Sequence, residues 1–240
     1  MAPRPEIRAV LFDAVGTLIE LREPVGETYA RMARPFGVAL PARRVDDAFR
    51  RVLRQAPPLV FPDAIAAETS RRERDWWRTL VRSTFLATDS TVRFSDFDAF
   101  FEGLYRAFSE PDAWSCRHGC RETLAELRAR GLTTGVVSNF DRRLPGLLAA
   151  LALAPLLDDV VLPSDAGAEK PDPRIFQLAL ERLGTPAAAS VFVGDSAERD
   201  VAGARAAGMR AIDVGSLATL CELPDRLGAL ATTDLGPPDE

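Results

Sequence analysis

Short runs of consecutive apolar residues recur along the chain, with helix-period segments between them. Five runs read as strands: Ala9 to Asp13 (AVLFD), Thr133 to Ser138 (TTGVVS), Val160 to Pro163 (VVLP), Val191 to Asp195 (VFVGD) and Ala211 to Val214 (AIDV). Unbroken apolar runs, rather than apolar-polar alternation, suit strands buried on both faces, as in a parallel sheet covered by helices. Between them, apolar residues three and four apart predict helices over Cys120 to Arg130, Arg142 to Leu153, Pro173 to Leu183 and Glu198 to Ala207. Gly131, Gly184 and Gly208 follow such segments, where a left-handed residue closes a helix at little steric cost. The pattern predicts an α/β fold built on a parallel sheet.

From about Leu21 to Ala113 this rhythm stops. The stretch offers no convincing strand, and its apolar residues recur at helical spacing: Tyr29, Met32, Ala33 and Phe36; Trp76, Trp77, Leu80, Val81, Thr84 and Phe85; Phe97, Phe100, Phe101, Leu104 and Phe108. It reads as a helical subdomain inserted after the first strand, with Trp76, Trp77 and the Phe stripe as its core. Pro57-Pro58 and Phe61-Pro62 mark a break inside it. The expected division is residues 1–20 and 114–231 as core, 21–113 as helical insertion and 232–240 as a flexible tail.

A length of 240 residues fits one core domain carrying a sizeable insertion. Hydrophobic residues at 47% and charged residues at 27% match an ordinary globular protein. The net charge of −5 argues against a nucleic-acid or anionic-membrane partner, both of which need a concentrated positive field. Local arginine runs such as Arg71-Arg72-Glu73-Arg74 fit solvated helix faces. No apolar run is long enough to span a bilayer, and the first residues lack the apolar stretch of a secretory signal, so a cytoplasmic protein is expected. Three cysteines with no framework spacing suit a reducing compartment. Cys116, His118 and Cys120 form a C-x-H-x-C cluster that matches no common zinc spacing and lacks a fourth ligand. His118 is the one histidine, and no G-x-S-x-G elbow accompanies it, which disfavours a Ser-His-Asp mechanism.

Ligands of open parallel sheets bind beyond the carboxyl ends of the strands. The first strand ends in Asp13, followed by Ala14-Val15-Gly16-Thr17-Leu18; the second ends in Ser138-Asn139; Lys170-Pro171 follows the third; the fourth ends in Gly194-Asp195, with Asp200 five residues on. Singly, each has a mundane use, as turn residue, helix cap or helix start. Jointly, three carboxylates at neighbouring strand ends repel one another and require cations. Lys170 supplies one. A small set of oxygen ligands suits Mg2+ as the other. Ser138 and Asn139 offer neutral donors, and Gly16 and Thr17 can turn backbone N–H groups toward the same spot.

The order D-x-x-G-T, S-N, K-P, G-D-x-x-x-x-D, from Asp13 to Asp200, resembles the haloacid dehalogenase superfamily. Ser138 to Leu144, Lys170 to Phe176 and the Trp76-Trp77 pair further resemble its haloacid dehalogenase-like hydrolase domain-containing 3 subgroup. The resemblance implies a Rossmann-like core with a helical cap inserted after the first strand. It implies that Asp13 attacks phosphorus to form an aspartyl-phosphate and that Ser138, Asn139 and Lys170 hold the phosphoryl oxygens. It further implies that Asp13, the main-chain carbonyl of Val15 and Asp195 bind Mg2+, with Asp200 supporting the metal. The expected partner is a small phosphorylated substrate or ligand, and the protein itself a monomer or homodimer.

Phosphatases of the superfamily carry a second Asp two residues after the nucleophile, which protonates the leaving group and then activates water. Here that position is Val15. Positioned general acid/base catalysis is worth about 10²- to 10⁴-fold, so its loss costs on the order of 3 to 5 kcal/mol of barrier for a poor leaving group. Three readings follow: a Mg2+-dependent phosphatase of weak or specialised activity, a phosphate-ligand binding or regulatory protein that has shed turnover, and a 2-haloacid dehalogenase-like hydrolase, whose leaving group needs no acid.

Overall fold

A computed structural model describes residues 6–62 and 64–232; the tail predicted at 232–240 lies outside them except for its first residue. The elements in chain order are β1 (Ala9–Phe12), β2 (Ile19–Leu21), α1 (Val25–Ala33), α2 (Ala42–Gln55), α3 (Ala66–Thr88), α4 (Phe97–Ala107), β3 (Trp114–Cys116), α5 (Cys120–Ala129), β4 (Thr133–Val137), α6 (Leu144–Ala150), β5 (Asp159–Val161), α7 (Pro163–Ala166), α8 (Pro173–Arg182), β6 (Ser190–Gly194), α9 (Gly203–Ala206), β7 (Arg210–Asp213) and α10 (Leu223–Thr232). A wide π-type stretch, Ala197–Ala202, precedes α9. Among the described residues no helix is long and apolar enough to cross a membrane.

The chain forms two compact units. The sheet unit comprises the chain up to Ile19, Cys116–Asn139 and the chain from Ala152 onward. Its five strands run parallel in the order β5-β4-β1-β6-β7. β1 is central: Phe12 is in register with Val136 on one side and Val193 on the other. The chain therefore fills the sheet outward from β1 on one side and then returns to fill the other, which makes the tip of β1 the topological switch point. The α/β, Rossmann-like reading holds. All four residues of β1 are buried, and Leu11, Val137, Val161, Ile175, Phe176 and Phe192 knit strands to helices in one apolar cluster. Gly131, Gly184 and Gly208 all take positive φ, as their places after helices predict.

The helical unit comprises Glu20–Ser115 and Phe140–Leu151. Tyr29, Phe85, Phe100, Phe101 and Leu104 are its buried centre. Tyr29 stacks on Phe85 with ring centres 6.0 Å apart, and Phe94 on Phe100 at 4.7 Å. Asp96 caps α4 by accepting from the Ala99 N–H.

Three expectations change here. Trp76 and Trp77 are half-buried rather than core, because each indole N–H needs a partner: Trp76 donates to the Pro57 carbonyl and Trp77 to Asp141. Glu73 is buried rather than solvated, and accepts from the Arg142 N–H. The segment Phe140–Leu151, which the strand and helix pattern assigns to the core, belongs to the helical unit. Arg143 lies over the Tyr105 ring at 3.9 Å and donates to the Tyr105 carbonyl, and together with the Trp77 and Glu73 bonds this fastens the segment to α3 and α4. The short strands β2 and β3, which pair with each other, had no sequence signal, since three residues cannot show an alternation.

Candidate functional site

The residues singled out at the strand ends all belong to the sheet unit. Asp13 follows β1 directly, and its N–H continues the ladder by donating to the Val193 carbonyl. The Lys170 ammonium donates to Asp13 Oδ1 and to Asp200 Oδ1, both at 2.6 Å, and lies 5.2 Å over the Phe192 ring. Asp13, Lys170 and Asp200 are all buried, whereas Asp195 is exposed. One carboxylate oxygen from each of Asp13, Asp195 and Asp200 falls within 4.8 Å of the others.

One ammonium against three carboxylates leaves this cluster short of positive charge, and the titration of the acids reflects it. Burial pushes the Asp13 carboxyl upward against the pull of Lys170, and Asp200 adds to the rise. Although Asp195 as a residue is exposed, its carboxylate is turned to the cluster and Gly16, and it is raised to about 6, first by partial loss of water and then by the charges of Asp13 and Asp200. A hard divalent cation with oxygen ligands is the group this donor set fits, since it supplies the missing charge and demands no nitrogen or sulfur. Among the described residues this is the one such cluster; Cys116, His118 and Cys120 do not form another, and His118 is exposed.

Two glycines make the crowding possible. Gly16 has φ +92°, and a Cβ there would stand 2.3 Å from Asp195 Oδ2; a Cβ on Gly194 would stand 2.4 Å from that of Asp200. Each α-carbon therefore abuts a carboxylate that any side chain would displace. The turn after Asp13 is tight: the N–H groups of Thr17, Leu18 and Ile19 all point at the Ala14 carbonyl, and the Gly16 N–H donates to Ile19. Thr17 is fully buried with its hydroxyl unpaired. Ser138 is buried at the tip of β4, its N–H donating to Val161. Val15 is half-buried and carries no titratable group.

Asn139 has a different place from the one its position suggests. Its carboxamide grips the Lys170 main chain from both ends, with Oδ1 accepting from the Lys170 N–H at 2.7 Å and Nδ2 donating to the Lys170 carbonyl at 2.9 Å. It orients the lysine instead of presenting its amide outward. Asp200 is likewise braced, by the Ser196 N–H at 2.9 Å. Arg117, which the sequence reading passed over, donates to the Gly16 carbonyl at 2.8 Å. No local motif marks it, because its partner lies 101 residues away.

A parallel sheet with a buried lysine strung between two aspartates at its switch point, and a third aspartate beside them, defines a hydrolase of the haloacid dehalogenase type. The family model for haloacid dehalogenase-like hydrolases matches residues 7–208, and the chain belongs to that family. Within it, the chain is similar to haloacid dehalogenase-like hydrolase domain-containing protein 3 of Homo sapiens, 39% identical over 212 residues that cover 87% of this chain and 82% of that one. It is 33% identical over 216 residues to phosphatase MT3486 of Mycobacterium tuberculosis, covering 85% and 86%. A crystal structure of a dehalogenase superposes with a TM-score of 0.65 at 25% identity, over 92% of this chain and 96% of that one.

Proposed function

We propose that the protein is a phosphate-directed hydrolase, dependent on Mg2+, that works through an aspartyl-phosphate on Asp13 and is restricted to substrates whose leaving group needs no protonation. The observation that carries this reading is the Lys170 ammonium held by both Asp13 and Asp200 within a three-carboxylate cluster. Displacement of halide from carbon has no use for a cation-hungry site of this kind, whereas a transferring phosphoryl group brings negative charge that must be met.

Asp13, the Val15 carbonyl and Asp195, supported by Asp200, are the proposed metal ligands. Bound there, Mg2+ would neutralise the carboxylates and the incoming phosphate, allowing two anions to approach. Lys170 holds one Asp13 oxygen, which fixes the carboxylate for attack and pulls its pKa down against the larger upward push of burial. An Asp13 oxygen then forms a bond to phosphorus as the ester oxygen leaves with its electron pair, and in a second step water attacks that phosphorus, releasing phosphate and returning the Asp13 carboxylate. Lys170 and Ser138 are the proposed contacts for the phosphoryl oxygens, with Gly16 and Thr17 lining the same turn. Asn139 acts through Lys170. Nothing at position 15 transfers a proton, so the departing oxygen must be stable as an anion or take its proton from water.

Incubation with Mg2+ and a panel of p-nitrophenyl phosphate, alkyl phosphates and 2-haloacids tests this. The expected result is slow, Mg2+-dependent phosphate release from the nitrophenyl ester and none from the alkyl esters, lost in Asp13→Asn. The apolar Val15 also favours a second reading, a phosphate-ligand binding or regulatory protein, and tight ester binding with no phosphate release would establish it instead. Halide release without Mg2+ would replace both with a dehalogenase-like carbon-centre hydrolase, the class of the similar crystal structure.

A further inference from the structure

Arg117 is half-buried, and its guanidinium is spent on a main-chain carbonyl. An arginine withdrawn from water costs free energy unless its donors are used. This one uses Nη1 on the Gly16 carbonyl at 2.8 Å, and its own N–H on the Leu18 carbonyl at 2.9 Å. Both acceptors belong to the turn that follows Asp13, and both contacts lie within the sheet unit.

The turn needs such an anchor. Gly16 is held at its N–H by Ile19 and at its carbonyl by Arg117, so the peptide planes on both sides of its α-carbon are fixed. The Val15–Gly16 peptide is planar and trans, and its carbonyl therefore points opposite to the Gly16 N–H. Fixing that N–H fixes the direction of the Val15 carbonyl. On the other side, the Gly16 α-carbon abuts the Asp195 carboxylate, so any drift of Gly16 toward the cluster displaces Asp195. Glycine's own backbone freedom opposes this precision, and at φ +92° no side chain restrains it.

We infer that Arg117 is a positioning residue for the metal site: by holding the Gly16–Thr17 and Leu18–Ile19 peptides of the turn it keeps Gly16 set against Asp195, and keeps Ile19 where it holds the Gly16 N–H and with it the Val15 carbonyl, so that it acts on two proposed ligands. The inference rests on the phosphatase reading for the identity of the cation and deepens it by assigning a residue outside the motif to the site's preorganisation. Groups that orient ligands without touching a metal typically contribute 10- to 100-fold to its affinity.

The test compares wild type with Arg117→Ala and Arg117→Lys by calorimetric titration with Mg2+ alone, by amide hydrogen exchange over residues 14–19, and by Mg2+ dependence of p-nitrophenyl phosphate hydrolysis. Arg117→Ala is expected to weaken Mg2+ binding about tenfold or more, to speed exchange in that peptide but not in β4 or β6, and to raise the half-saturating Mg2+ concentration with the ester KM unchanged. Arg117→Lys, which keeps a donor of similar reach, should recover most of each effect and guards against a variant that fails to fold. Equal Mg2+ affinity and equal exchange in wild type and Arg117→Ala would overturn the assignment alone. A wild type that binds no Mg2+ would overturn the metal reading and the assignment with it, whereas one that binds Mg2+ without turnover would sink the phosphatase reading and leave Arg117's role decided by the titration and exchange.

Discussion

Asp141 in the helical unit and Asp13 in the sheet unit are both buried carboxylates beside a cation, yet they are balanced differently. Asp141 is fully buried and accepts from Trp77 Nε1 and from the N–H, Nε and Nη2 of Arg143. One charge meets one charge, and Arg143 is further covered by the rings of Tyr105, Phe140 and Trp77. Burial works against the Arg143 charge, but the hydrogen bonds and charge of Asp141 outweigh it and hold its pKa above the usual value. Asp13 shares its single ammonium with Asp200 while Asp195 adds a third charge, so burial pushes Asp13 and Asp195 upward. A satisfied pair of this kind stabilises a fold; an unsatisfied cluster is kept for what it binds.

Substituting each aspartate by asparagine should separate the two cases. On the proposed role of Asp13 as nucleophile, Asp13→Asn is expected to remove turnover to background, at least about 10⁴-fold. The melting temperature should hold or rise, because one repelling charge has gone while Asp200 still meets Lys170. Asp141→Asn is expected to destabilise by about 3 kcal/mol, since it strands a buried guanidinium. Urea unfolding and initial-rate assays on both variants make the comparison, and equal stability losses would show that the two sites do not differ as described.

The same contrast explains what was legible in the sequence. The strand runs were readable because β1, β4 and β6 are buried on both faces, which leaves most of their positions apolar. Asp13 and Asp195 were readable because a polar residue at the end of such a run breaks the pattern, and Lys170 and Asp200 because the K-P and G-D-x-x-x-x-D motifs carry them. Asn139 was found, but its grip on the Lys170 main chain was not, because a carboxamide looks the same in sequence whether it faces a ligand or a neighbour's backbone. Arg117, Glu73 and the Asp141–Arg143 pair were missed for a different reason. Arg117 and Glu73 take their meaning from partners in distant segments, and the Asp141–Arg143 pair from the Trp77 and Tyr105 that cover it, none of which local spacing shows.

Restoring a proton carrier should sharpen the account of the sheet unit. Val15 is half-buried in the turn after Asp13, so a carboxyl there has room without opening the core. Val15→Asp is expected to raise kcat about 10²-fold on alkyl phosphates and far less on p-nitrophenyl phosphate, whose leaving group gains little from an acid. Parallel rates on the two ester classes answer this. Equal gains on both would place the limit at the shared attack of water on the aspartyl-phosphate, where the same carboxylate acts as base, rather than at leaving-group departure.

The smallest effect is the pH dependence of the unsatisfied cluster. Asp195 titrates near 6 in the folded protein against 3.8 ordinarily, burial being the first cause and the charges of Asp13 and Asp200 the next. A carboxyl raised by folding contributes stability that is fully present below its unfolded value and is lost as pH rises through its folded one. Metal-free protein should therefore lose stability between about pH 4 and 6, and Asp13, raised in the same direction, adds to the loss. On the proposed metal reading, Mg2+ would reverse the sign because it would bind the ionised acids: its affinity is expected to fall as pH drops through about 6 and Asp195 protonates. Thermal melts with and without Mg2+ at pH 5, 6, 7 and 8 are expected to show a stabilisation by Mg2+ that grows from pH 5 to 7 and then levels. Asp195→Asn should flatten that profile. A Mg2+-induced shift of the same size at pH 5 and pH 8 would mean that Asp195 carries no share of the cation, and the distinction between the satisfied aspartate of the helical unit and the unsatisfied ones of the sheet unit would then rest on Asp13 and Asp200 alone.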